Sequence, residues 1–209
     1  MMASSGKTTV RRGRRHGEPV PREVVLAAAT ERFARDGYDK TTLRAIAGDA
    51  AVDPSMVLYL FGSKADLFRE SLRLVVDPKP LVAAMTEGDG PVGERLVRQY
   101  LHIWESPATA PTMVATLASA TSNPDAKEAF RSFLRDYVLT TVSAVIGGDE
   151  EARLRSQLVA TSLIGTSLMR YVIPVPPLAD LPTEDVVKLI APTVTRYLTC
   201  DARELGLPR

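Results

Sequence analysis

The sequence predicts an all-α fold, and three observations carry that expectation. Apolar residues recur at spacings of three and four in one stretch after another. No convincing run alternates apolar and polar residues with the period of a strand. Proline and glycine fall mostly between the periodic stretches, and Ser, Thr or Asp often stands where a helix would start.

Residues 1–20, MMASSGKTTVRRGRRHGEPV, are polar and aperiodic and read as a disordered arm. Its cluster Arg11, Arg12, Arg14 and Arg15 suits the phosphates or the minor groove of a duplex, and equally suits a solvated tail. From about 22 to 36, Leu26, Ala29 and Phe33 share one helix face, which closes at Asp36-Gly37-Tyr38 with a C-terminal glycine. Thr41 is placed to cap a short helix with Leu43, Ile46 and Ala47 inward. Gly48-Asp49-Ala50-Ala51 then breaks the pattern with small residues, where two helices must pass closely. Asp53-Pro54 restarts it, with Asp as cap and Pro at the first position, where no N–H is needed. In that next helix Val57, Leu60 and Phe61 turn inward, leaving Ser55, Leu58 and Tyr59 on the opposite side. Two short helices joined by a tight turn, the second with an outward face near its start, form the plan of a helix-turn-helix.

Ser63 opens a fourth helix to about 76, with Asp66 three residues on, close to a capping box. It carries Leu67, Phe68, Leu72 and Val75. The two prolines of Asp77-Pro78-Lys79-Pro80 make the natural boundary after it. The expected parts are therefore an arm over 1–20, a helix-turn-helix part over 21–76, and a larger helical part over 77–209. Within the larger part, helices are expected near 81–87, 92–105, 109–121, 124–146, 150–173 and from a Thr183 cap onward. The 150–173 helix carries Leu154, Leu158, Thr161, Gly165, Leu168 and Val172 on one stripe, small in the middle, which another helix can approach closely. The last helix shows Val187, Ile190, Val194 and Tyr197 along one side, and Pro192 inside it should kink it or remove a hydrogen bond.

Charge is divided unevenly. Residues 1–76 hold 13 Lys and Arg against 9 Asp and Glu, and the remainder holds 13 against 16. The basic excess thus lies with the helix-turn-helix, as a phosphate-facing part requires. One cysteine, Cys200, allows no internal disulfide, which fits a reducing cytoplasm. No stretch approaches the length of a membrane span and no signal-peptide core is visible, so a cytoplasmic location is expected. The only histidines are His16 and His102, and no phosphate-binding glycine loop, nucleophile elbow or metal-ligand spacing is present. No catalysis, metal or cofactor is therefore expected.

Residues 22–74 resemble the N-terminal DNA-binding domain of the TetR family of bacterial transcriptional regulators. The features that carry the resemblance are Gly37-Tyr38, Thr41-Thr42 before Ile46-Ala47, Ala51-Val52-Asp53, and Phe61-Gly62-Ser63-Lys64 with Leu67-Phe68. The sequence departs from the family at Leu58-Tyr59-Leu60, where an aromatic or His cluster is usual, so only Tyr59 is left for an aromatic contact. Residues 94–198 resemble a ligand-binding domain of such regulators from actinobacteria.

The resemblance implies a repressor released from DNA by a small, mainly apolar effector. In it Thr41, Thr42, Arg44, Tyr59 and Lys64 would hold phosphates, and Ser55, Leu58 and Tyr59 would meet base edges. It implies a homodimer through helices at about 150–173 and 183–200, bound to an inverted-repeat operator in double-stranded DNA. It also implies an effector pocket, for which Tyr100, Trp104, Met113, Leu117, Phe130, Phe133, Tyr137 and Met169 supply apolar surface and Thr166 and Ser167 polar handles. From the residues alone, the stripes on the last two long helices could as well fill the chain's own core, and an enzyme or a protein-interaction module remains the competing class.

Overall fold

The structure is a computed structural model, and it describes residues 22–208. The arm and its arginine cluster lie outside the described residues. Among the described residues there are helices and no strand.

The N-terminal part is built of α1 (Arg22–Lys40), α2 (Leu43–Asp49), α3 (Pro54–Phe61) and α4 (Lys64–Val75). Helix α1 loses its helical path at Gly37, whose φ of 71° suits a residue without Cβ, and the turn brings Tyr38 back into the core. Phe33, Tyr38 and Phe68 meet there as an aromatic trio, with the Phe68 ring edge-on to the other two at 4.9 and 5.1 Å. Val25, Ile46, Val57 and Leu67 close the rest of this core with no measurable exposure. A bidentate ion pair holds α2 against α1, with Arg32 Nε and Nη2 donating to the two Asp49 oxygens at 2.5 and 2.6 Å. The turn between α2 and α3 puts Ala51 at φ 54°, a strained conformation for a residue with a side chain. The Val52 N–H, donating to the Ala47 carbonyl at 2.9 Å, holds the turn closed.

The larger part comprises α5 (Lys79–Thr86), α6 (Val92–Glu105), α7 (Ala110–Ser122), α8 (Pro124–Phe133), α9 (Thr140–Val145), α10 (Glu150–Ser167), α11 (Thr183–Thr199) and the short α12 (Ala202–Leu205). Two helices differ from expectation. The helix expected over 124–146 is divided by a π-helical stretch, Leu134–Leu139, and α10 likewise ends in a π-helical turn, Leu168–Val172. Thr183 does not cap α11 but begins it, because its hydroxyl donates to the Glu105 carboxylate at 2.8 and 2.9 Å. The Tyr171 hydroxyl donates to the same carboxylate at 2.8 Å, so Glu105 ties the ends of α6 and α10 to the start of α11.

Packing divides into two apolar clusters. One runs from the N-terminal core into Trp104, Met113, Leu117 and Phe133, so the two parts share it. The other joins α5, α6, α10 and α11. Val187 and Val194, placed by their spacing on one stripe with Ile190 and Tyr197, are buried in that second cluster beside α6 residues Leu96, Val97 and Leu101. Their side of α11 is therefore filled by the chain itself. The exposed residues of α11 include Leu189, at 62%, with Pro192 and Thr193, beside the polar Glu184, Lys188, Arg196 and Thr199. The α10 stripe behaves differently: Thr161 and Gly165 are exposed and Leu154 and Leu158 half-buried.

Candidate nucleic-acid interface

The recognition surface begins with how α3 starts. Asp53 caps it, its Oδ1 accepting from the Ser55 N–H at 2.9 Å and the Ser55 hydroxyl at 2.6 Å, and Pro54 follows at the first position. Val57 and Phe61 then fall inward and are buried, while Leu58 (49% exposed) and Tyr59 (84%) stand out into solvent. Met56, 39% exposed, shares this outer face, although its type drew no attention in the sequence. The signal that could have found it is its position in the first turn of α3, beside Ser55.

Helix α2 supplies the flank. Thr42, not Thr41, caps it: the Thr42 side chain accepts from the Ala45 N–H at 3.1 Å and its own proton is left to donate outward. Thr41 is 1% exposed, and its hydroxyl donates to the Gly37 carbonyl at 2.7 Å. The expectation that Thr41 contacts phosphate is thus corrected. The residue closes the Gly37 turn from inside, and its neighbour takes the surface position. Arg44 is exposed on α2. Lys64 lies half-buried with its ammonium 4.2 Å from the centre of the Tyr38 ring, a cation–π contact. Burial pulls the Lys64 ammonium below its ordinary value, while the charges of Asp39 and Asp125 oppose that shift. Burial likewise pushes the Tyr38 hydroxyl up to about 12.

This surface is joined to the larger part at one corner. The Tyr38 N–H donates to Ser119 Oγ on α7 at 3.2 Å, and Asn123 Nδ2 donates to Asp39 Oδ1 at 2.6 Å. Asn123 also caps α8, accepting from the Asp125 and Ala126 N–H groups at 2.9 and 3.0 Å. Neither Ser119 nor Asn123 was visible as a site residue in the sequence, since both matter only through a partner some 80 positions away.

Of the ten residues expected around an effector, Tyr100, Trp104, Met113, Leu117, Phe130 and Phe133 line one apolar cavity of ≈ 50 Å³ between α6, α7 and α8. A neighbouring cavity of ≈ 70 Å³ shares Leu81 and Tyr100 with it. Four residues fall elsewhere. Thr166 is buried with its hydroxyl donating to the Ser162 carbonyl at 2.7 Å. Met169 is 39% exposed. Tyr137 lies tilted against Phe133, ring centres 5.7 Å apart, with the Arg73 guanidinium 5.3 Å from the centre of its ring. The π-helical turns reset the facing of residues beyond Phe133 and Ser167, which a regular helical period misplaces. Ser167, the other expected polar handle, is buried with its hydroxyl donating to that of Tyr100 at 2.9 Å.

A helix-turn-helix presenting an exposed α3 from a folded helical body defines a DNA-binding regulator. The family model for bacterial regulatory proteins of the tetR family matches residues 25–71, and that for the tetracyclin repressor-like C-terminal domain matches residues 91–198. A solved TetR-family regulator from Streptomyces coelicolor is 35% identical, covering 89% of this chain and 98% of that one with a TM-score of 0.60. A transcriptional regulator from a Rhodococcus species (24% identity, 84% and 95% covered, TM-score 0.56) shares the fold. So does NalD, the secondary repressor of the MexAB-OprM efflux pump in Pseudomonas aeruginosa (18%, 86% and 95%, TM-score 0.59). A search of curated protein sequences gives no match. The chain belongs to the TetR family and is a DNA-binding transcriptional regulator. Among the described residues no helix is long and apolar enough to cross a membrane, and no group of three or more His, Cys, Asp and Glu could hold a metal ion.

Proposed function

We propose that the chain is a homodimeric repressor that grips an inverted-repeat operator with two α3 helices and lets go when a small, mainly apolar effector enters the larger part. The observation that carries this reading is the exposed face of α3, with Tyr59 at 84% exposure beside an open Arg44 and the free Thr42 hydroxyl proton. Thr42 and Arg44 would take phosphates, and Tyr59 would reach from phosphate to base edge. The domain division follows: 21–76 reads DNA and 77–209 binds the effector and the second subunit, without catalysis. The exposed stripe around Gly165 on α10 and the side of α11 bearing Leu189 suit the second subunit, because small residues let helices approach closely.

The cavity at Trp104 would hold the effector after widening, since drug-sized ligands occupy roughly 300 Å³ or more. Val76 and Leu81, on either side of the boundary, belong to its wall. A ligand that spreads this wall displaces the end of α4 and with it the spacing of the two α3 helices. It does so only by binding one spacing better than the other.

The regulator is tested by a mobility shift against the DNA flanking its own gene, where a discrete, salt-sensitive complex is expected. Tyr59→Ala should weaken that complex at least tenfold and leave the dimer intact; unchanged affinity would refute the assigned face. Gly165→Leu should turn the dimer into a monomer in sedimentation. Gly165 is exposed and a Cβ there meets nothing within 4 Å, so the new side chain starts into open space in the single chain. A dimer that survives would place the interface elsewhere.

A further inference from the structure

We infer that the operator is recognised through thymine methyl groups, with Met56, Leu58 and the ring of Tyr59 as the reading surface. The inference rests on α3 being the helix that enters the major groove. Hydrogen-bond readout there uses Arg or Lys on guanine, Asn or Gln on adenine, and Asp or Glu on cytosine. The eight residues of α3, PSMVLYLF, contain none of these types. The one short polar group on the outer face, the Ser55 hydroxyl, donates to Asp53 at 2.6 Å, and the Asp53 oxygen that receives it also receives the Ser55 N–H. The Asp53 carboxylate is thus engaged with the first turn of α3.

What remains outward is mostly apolar surface: Met56 at 39%, Leu58 at 49% and Tyr59 at 84% exposure, spread over the first six residues of α3. The major groove offers one apolar group that distinguishes base pairs, the C5 methyl of thymine. A surface of Met, Leu and an aromatic ring gains most where those methyls cluster. The positive charge needed to hold the backbone comes from outside α3, at the exposed Lys40 and Arg44. Sequence and charge are then read by different helices.

The test starts by selecting duplexes from a random pool with the full-length protein, then replacing single thymines by deoxyuridine. That exchange removes one methyl and leaves base pairing intact. Selected sites rich in thymine opposite α3 are expected, and each contacted methyl removed should weaken binding about fourfold, the equivalent of burying one methyl group. Made in both half-sites, the loss should be about fifteenfold. In Leu58→Ala or Met56→Ala the same exchange should lose less than twofold, because the methyl has no partner left. In Arg44→Ala the fourfold uracil effect should persist on top of weaker overall binding. Equal affinity for thymine and uracil duplexes, or a uracil penalty undiminished in both alanine variants, overturns the inference while leaving sequence-specific binding standing. A protein that enriches no duplex overturns the operator reading itself.

Discussion

Phe68→Ala is expected to lower stability by about 4 kcal/mol, the typical loss for a fully enclosed phenylalanine. Phe68 is 1% exposed and its ring meets Phe33 and Tyr38 edge-on at 4.9 and 5.1 Å, so the truncation leaves a void with rigid walls on both sides. For a chain of this size such a loss shifts the melting temperature by roughly 10 °C. The effect should extend to DNA. The Tyr38 ring carries the Lys64 ammonium on its face, and Thr41 closes the Gly37 turn just before the α2 cap. Operator affinity should therefore fall by more than the unfolded fraction explains, measured at a temperature where the variant is still folded. Phe68→Leu, which keeps most of the volume, should recover more than half of the lost stability. Equal loss in both variants would show that the aromatic geometry, not the volume, is at stake.

Gly93→Ala is expected to destabilise by about 3 kcal/mol, the upper end for forcing one carbon into a filled contact. Gly93 lies in the first turn of α6 directly against α11, and its N–H donates to Thr195 Oγ1 at 3.1 Å. A Cβ there would press into the Ala191 carbonyl oxygen and Thr195 Oγ1 and stand 2.8 Å from the Thr195 nitrogen. Backbone on the receiving side cannot swing away, so the two helices must separate. The same exchange at Gly48, in α2, meets nothing within 4 Å and should stabilise by about 0.5–1 kcal/mol through helix propensity alone. Chemical denaturation of the two variants beside the parent decides it, and a neutral Gly93→Ala would mean that α6 and α11 can separate at that point at no cost.

Much of this fold is written locally and could be read. The sides of α3 follow from helical periodicity, which put Val57 and Phe61 in and Leu58 and Tyr59 out. Caps are legible at Asp53 and Ser63, ambiguous where two threonines stand together, and misleading at Thr183, whose hydroxyl is taken by the distant Glu105. Thr41 and Thr42 are chemically alike, and only the Gly37 turn decides which is buried. Tyr137 and Met169, assigned to the pocket by resemblance and not by periodicity, lie in π-helical stretches that no local signal in the sequence announces. The corner made by Tyr38, Asp39, Ser119 and Asn123 was illegible for a different cause. A serine and an asparagine near helix ends look like ordinary caps until the partner 80 residues away is in place.

That corner, and the shared aromatic cluster behind it, bear on how such a protein can be taken apart. Severing the chain at the proline boundary would strip Trp104, Met113, Leu117 and Phe133 from the cluster they share with Phe33 and Phe68, leaving oily surface bare on both fragments. The N-terminal part and the larger part are therefore not interchangeable cartridges. Grafting the helix-turn-helix part onto another helical body requires carrying the matching strips of α7 and α8 along with it.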